Sequence, residues 1–289
     1  MPSVRTVDTR FTRLVGCRLP FQLAALGGVG TTELAAAVTA GGGLGMVPYG
    51  VKPPATGLGP CGIGFLIPYL PRAGVIADAA SRVRVVEFFH GDPDQSLVAA
   101  GHSGGALVSW QVGSAGEGRA AEAAGCDLVI AQGVEAGGHV RGTSPLDQLL
   151  PAMLAAVSVP VVAAGGIGTA ERAAALIAAG ADAVRVGTRF LACPECNTHP
   201  AYVEALLAAG ADDTVITGDL DDGGHWPAAV RVLGSSLARA RRAGNRSTMP
   251  PTRKAEDPLA MACYAGVSVA DLTRIQPAAQ VLRDLAGQL

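Results

Sequence analysis

One unit recurs along this chain: a helix of small residues, a glycine, a two-residue turn carrying aspartate, then a short apolar strand. Residues 121–124 run into Gly125, Cys126 and Asp127 ahead of Leu128-Val129-Ile130. Residues 174–179 end at Gly180, and Ala181-Asp182 precedes Ala183-Val184-Arg185-Val186. A third copy, residues 205–209 with Gly210, leads into Thr214-Val215-Ile216-Thr217. Glycine supplies the left-handed residue that ends a helix. Strands that follow helices so closely, and are apolar on both faces, belong to a parallel sheet covered by helices.

Read in order, strands are expected at 19–23, 45–47, 63–67, 83–89, 106–112, 127–131, 159–164 and 183–187. Eight is the count of a (β/α)8 barrel, and an α/β TIM barrel is the expected fold. An open doubly wound sheet is the alternative. The second crossover is shortened. From Val47 to Pro60 the chain is rich in proline and glycine and cannot hold a helix. Residues 1–199 are assigned to the barrel and 200–266 to a small helical cap over its mouth. Residues 267–289 return to the barrel, with a helix over 270–289. Within the cap, 201–209 and 226–243 read as helices and 218–224 as loop.

With 49% hydrophobic and 16% charged residues, disorder is excluded. A net charge of −2 and 4% aromatic residues argue against nucleic-acid binding. Nearly all the positive charge is arginine, the lysines being Lys52 and Lys254 alone. The uncharged stretch 149–170 is interrupted by Pro151, Pro160, Gly165, Gly166 and Gly168, so it reads as a helix and a buried strand rather than a membrane span. Residues 1–16 carry charges throughout, so no signal peptide is expected. Six scattered cysteines suit a reduced, cytoplasmic protein.

Active sites of parallel barrels lie at the carboxyl ends of the strands. After the sixth strand comes Gln132-Gly133-Val134-Glu135-Ala136-Gly137-Gly138-His139-Val140-Arg141. Its glycines suit either a cradle presenting one imidazole or a flexible turn with an exposed histidine, and composition does not choose between them. After the seventh strand comes Gly165-Gly166-Ile167-Gly168-Thr169 opening a helix, and after the eighth Gly187-Thr188-Arg189. That pair of loops is the usual phosphate site of such barrels. Cys193-Pro194-Glu195-Cys196 with His199 lacks a second cysteine pair at zinc spacing, so no metal site is assigned. His90 and His102 read as structural or solvated. His225, beside Trp226, is a weak pocket candidate, and Tyr264 and Ser268 stay undecided.

These residues resemble the nitronate monooxygenases, formerly called 2-nitropropane dioxygenases. The likeness rests on Ala131-Gln132-Gly133-Val134-Glu135-Ala136-Gly137-Gly138-His139, on Val162-Ala163-Ala164-Gly165-Gly166-Ile167 and on Val186-Gly187-Thr188-Arg189-Phe190-Leu191. Leu19-Pro20-Phe21-Gln22 near the start and Tyr264-Ala265-Gly266 near the end extend it over nearly the whole chain. The resemblance implies FMN, its phosphate held by Gly165, Gly166, Gly187 and Thr188. It places Ala24, Ala25, Leu26, Gln132 and Gly138 against the flavin ring, with His139 as the residue that handles the substrate proton. Gly64 stands at a third-strand flavin contact where the family often carries asparagine, and no lysine is available on the central strands. The implied reaction turns alkyl nitronates or nitroalkanes, with O2, into a carbonyl compound and nitrite. An NAD(P)H-dependent flavin reductase acting on quinones or enoyl thioesters is the alternative, and a flavin-binding protein without turnover is another. The expected partners are a small-molecule substrate and O2. A homodimer stays open, and neither nucleic acid nor membrane is expected.

Overall fold

Short apolar runs held between capped helices form most of the strands in the computed structural model, which describes residues 6–70, 73–221 and 229–289. In chain order these are β1 (Phe21–Leu23), β2 (Gly45–Pro48), β3 (Cys61–Leu66), β4 (Val85–Phe89), β5 (Leu107–Val112), β6 (Leu128–Gln132), β7 (Gly138–His139), β8 (Val161–Ala164), β9 (Ala183–Val186), β10 (Thr214–Thr217) and β11 (Val230–Leu233). Eight of them form one parallel sheet in the order β1-β9-β8-β6-β5-β4-β3-β2. The sheet closes on itself. Leu44, just before β2, donates its N–H to Phe21 O at 2.8 Å and accepts from Leu23 N at 3.0 Å. The result is the TIM barrel that the strand count predicts, with every expected barrel strand found within a few residues of its place.

The turns explain why the strands start where they do. Gly125 and Gly180 close their helices at φ +98° and +107°, in the left-handed region where other residues are strained. Thr31, Ser114 and Thr169 cap the next helices, each hydroxyl accepting a backbone N–H of the first turn. β6, β8 and β9 are buried on both faces. Trp110, Phe88 and Phe65 stack in a row across neighbouring strands, their ring centroids 5.1 and 5.8 Å apart. Residues 49–60 hold no helix, as their prolines and glycines predict.

The third copy of the repeat behaves differently. Gly210 is extended, at φ −94°, and its N–H is taken by the Asp213 carboxylate at 2.8 Å. The strand it introduces, β10, leaves the barrel and pairs antiparallel with β11, which pairs in turn with β7. The expected single helix over 226–243 is therefore corrected. Residues 222–228 lie outside the described structure, 230–233 form β11, and a helix runs only over Gly234–Ala243. The alternation Val230, Arg231, Val232 is a strand signal: both valines are fully buried, whereas the Arg231 guanidinium reaches across to Val134 O at 2.9 Å. Residues 200–266 thus contribute two strands, β10 and β11, alongside their helices, and these strands form one antiparallel sheet with β7. The final helix is also shorter than expected. It spans Ala278–Leu285 because Pro277 holds its own backbone, and disfavours Gln276, away from the helical region. It packs on helices Thr32–Gly41 and Ala170–Ala178, beside the first and last barrel strands. No helix among the described residues is long and apolar enough to cross a membrane.

Candidate functional site

The loops after the barrel strands surround a cavity of about 390 Å3, within the range of small-molecule and cofactor sites. Every residue singled out from the sequence for cofactor or proton handling lines it: Ala24, Ala25 and Leu26 after β1, Gly64 on β3, Gln132, Gly138 and His139 around β6 and β7, Gly165 and Gly166 after β8, and Gly187 and Thr188 after β9.

At one end the backbone forms a cradle. Gly165 and Gly166 take φ +111° and +67°, and a Cβ on Gly165 would lie 3.1 Å from Ala136 N and Gly133 O. Gly187 comes so close to β1 that a Cβ would meet the Ala24 Cβ at 3.3 Å. Thr188 Oγ1 accepts the N–H of Gly266 at 3.0 Å, which brings the chain's end, with Ser268, into the cavity wall. Gly266 is reachable from the sequence only through the Tyr264-Ala265-Gly266 resemblance, and Ser268 stays undecided there, because nothing local marks a loop 78 residues downstream as part of the same wall.

His139 sits on the two-residue strand β7, and its position is set by its backbone. The Gln132 amide donates to His139 O at 2.9 Å and accepts from Arg141 N at 3.1 Å, so this side chain is committed to holding the loop. On the other side β7 pairs with β11. Its ring lies 5.7 Å from the Tyr264 ring and 6.0 Å from that of His90, centroid to centroid. Glu135 caps helix Leu146–Leu154 by accepting Leu146 N on both carboxylate oxygens, and Arg141 turns outward to Glu117 and Asp92. His139 lines the cavity, whereas the Glu135 and Arg141 side chains are engaged at its margin.

His90 ends β4 in a left-handed conformation, φ +66°, where a non-glycine residue is strained. Burial, with the charges of His139 and Arg141 beside it, holds its imidazole down at about 3. The sign follows from linkage. As pH falls below the ordinary value of about 6.5, the unfolded chain takes up this proton and the folded one does not, so stability is lost between pH 6.5 and 3. His90→Asn keeps a residue that tolerates the left-handed region and removes that contribution. Thermal melts at pH 7 and 4.5 should show a smaller drop in Tm for the variant, and equal drops in both proteins would refute this account.

Gly64 has a packing role. A Cβ there would stand 2.6 Å from the Ala25 Cβ, so an asparagine and the present course of 24–26 cannot coexist. Gly64→Asn should cost about 1–3 kcal/mol through overpacking, and Ala25→Gly should recover most of it. Urea denaturation of the single and double variants decides the point.

The remaining candidates fall elsewhere. Cys193 and Cys196 are buried, and burial pushes both thiols up. Cys196 donates to Val29 O at 3.2 Å, and His199 Nδ1 caps the helix Pro200–Leu207. His102 pairs with Asp127 near the surface. His225 and Trp226 lie outside the described residues. Sequence reasoning passed over Glu87, Gln111 and Arg185, which also line the cavity. A charge inside an otherwise apolar strand, as in Val85-Val86-Glu87-Phe88-Phe89, was the available signal.

A nitronate monooxygenase family profile matches residues 67–287. The chain is 33% identical over 260 residues to a (3aS,4S,5R,7aS)-5-hydroxy-7a-methyl-1-oxo-octahydro-1H-indene-4-carboxyl-CoA dehydrogenase of Mycobacterium tuberculosis, covering 83% of this chain and 70% of that one. Among solved structures it superposes on FabK from Thermotoga maritima with a TM-score of 0.81 at 29% identity, covering 98% and 96% of the two chains. The nitroalkane oxidase of Streptomyces ansochromogenes gives 0.79 at 30% identity, covering 97% of each.

Proposed function

The chain belongs to the nitronate monooxygenase family of oxidoreductases, which are flavin-dependent in general, and from that premise we propose that it is an FMN enzyme oxidising alkyl nitronates or nitroalkanes with O2. The observation that carries this reading is the meeting, in one cavity, of a left-handed glycine cradle with a histidine, His139. The residues fit the cofactor: Gly165, Gly166, Gly187 and Thr188 would set a phosphate against backbone, and Ala24, Ala25, Leu26, Gly64, Gln132 and Gly138 line the part of the cavity that would take a ring. When bound, FMN supplies the electron transfer from substrate to O2, which ends in a carbonyl compound and nitrite.

The protein's own share is binding, orientation and proton handling. His139 accepts the α-proton of a neutral nitroalkane as general base. Gln132 and the β7–β11 pairing hold the backbone of His139 in place, so little reorganisation of the loop is needed at the moment of transfer. Tyr202, Met249 and Tyr264 from the segment 200–266 line the cavity, which supports substrate selection by that segment and cofactor binding by 1–199 with 267–289.

The likeness to FabK and to a CoA dehydrogenase favours a second reading, reduction at the same site by NAD(P)H. Visible spectra separate the two. FMN-reconstituted protein should bleach on anaerobic addition of an alkyl nitronate, then reoxidise and release nitrite in air. Bleaching by NAD(P)H alone favours the reductase. Retained FMN that no donor reduces indicates binding without turnover, and a chain that takes up no flavin overturns the assignment.

A further inference from the structure

Parallel barrels ordinarily fill their interior with branched apolar side chains, but here one layer is ionic. Arg185 on β9 and Glu87 on β4 approach to 2.6 Å, Nη1 to Oε1, with the two side chains 8% and 2% exposed. Between β9 and β4 the sheet order runs through β8, β6 and β5, so the pair crosses the barrel interior rather than joining neighbours. Gln22 on β1, which registers with Arg185, donates its amide to Glu87 Oε2 at 2.8 Å. Gly64 registers with Glu87 on the neighbouring strand and lines the same cavity. Glu87 and Arg185 both face the cavity, whose floor they form.

Stability does not account for this pair. Two buried charges lose their hydration, and a well-packed apolar layer of the same volume is as stable or more so. Nor is the layer fully satisfied, since Gln22 Oε1 has no hydrogen-bond partner among the described residues. What charges in a low-dielectric floor do is set the potential felt by whatever lies on them. The chain's two lysines, Lys52 and Lys254, are exposed, which leaves Arg185 as the floor's cation.

We propose that the Glu87–Arg185 pair, assembled across the barrel under the cavity, tunes the bound flavin: Arg185 favours its electron-rich reduced form, and Glu87 limits that preference. This rests on the FMN reading above. The test is the midpoint potential of FMN bound to the wild type, to Glu87→Gln, Arg185→Gln and Arg185→Lys, and to the double variant Glu87→Gln/Arg185→Gln, after FMN affinity has been measured by flavin fluorescence. Glu87→Gln should raise the potential and Arg185→Gln should lower it. Each shift should reflect at least a tenfold change in the ratio of affinities for reduced and oxidised FMN, about 30 mV for a two-electron couple. Arg185→Lys keeps the charge and should stay near the wild-type value, and the double variant should fall between the singles. FMN uptake with potentials that do not move, or single variants that shift in the same direction, would overturn the role of the pair alone. If Arg185→Gln fails to fold, a Glu87→Gln potential at or below that of the wild type overturns it equally. A wild-type chain that binds no FMN overturns the reading of the site itself.

Discussion

His139→Ala should lower turnover of a neutral nitroalkane by about 10²–10⁴-fold, the usual worth of a positioned general base, and leave a pre-formed nitronate almost untouched. The asymmetry is the informative part. A nitronate has already lost the proton that His139 is assigned to remove, so only its binding can suffer. The backbone of His139 is held by the Gln132 amide and by the pairing with β11, and neither contact involves the ring. Truncation should therefore leave FMN uptake and Tm close to wild type. Nitrite release measured with both substrate forms, nitroalkane and anion, gives the ratio directly. Equal losses on the two forms would show that the ring positions substrate rather than taking its proton.

Gly166→Val should weaken FMN binding by about a hundredfold, or about 2.7 kcal/mol. Two effects act together. The residue sits at φ +67°, where a β-branched side chain is strongly strained, and its Cβ would come within 3.2 Å of the Glu135 Cβ. Glu135 cannot easily withdraw, because both of its carboxylate oxygens hold the first turn of helix Leu146–Leu154. The loop must then shift, and the glycine cradle widens or closes. Isothermal titration with FMN checks the prediction. An unchanged dissociation constant would remove Gly165 and Gly166 from the proposed phosphate site.

Local rules carried the barrel a long way. Gly125 and Gly180 had to be left-handed, and the apolar runs behind them had to be buried on both faces, so all eight parallel strands and the helix-free crossover at 49–60 follow from short-range patterns. The same rules misread the cap. Gly210 looks like the other two glycines, but the Asp213 carboxylate takes over the turn, and β10 finds its partner in β11 instead of the barrel. Val230 to Leu233 are four residues whose strand pairing is with partners 13 to 93 residues away, which no short local window contains.

The site divides in the same manner. Loops after barrel strands must gather at one rim, so the glycines at 165, 166 and 187 and the histidine at 139 could be assigned to one cavity from spacing and resemblance alone. Which groups stay available for chemistry was decided only by the closed structure. Glu135 is spent on a helix cap and Gln132 on its own loop, and Gly64 makes way for Ala25. Glu87 and Arg185, 98 positions apart in the chain, become a buried pair only when β4 and β9 face each other across the barrel. The left-handed glycines and the buried apolar runs of the barrel are short-range consequences of residue type and so are written in the sequence. The pairing of charges and the final occupancy of hydrogen-bonding groups depend on which distant strands closure brings together, and so belong to the tertiary structure.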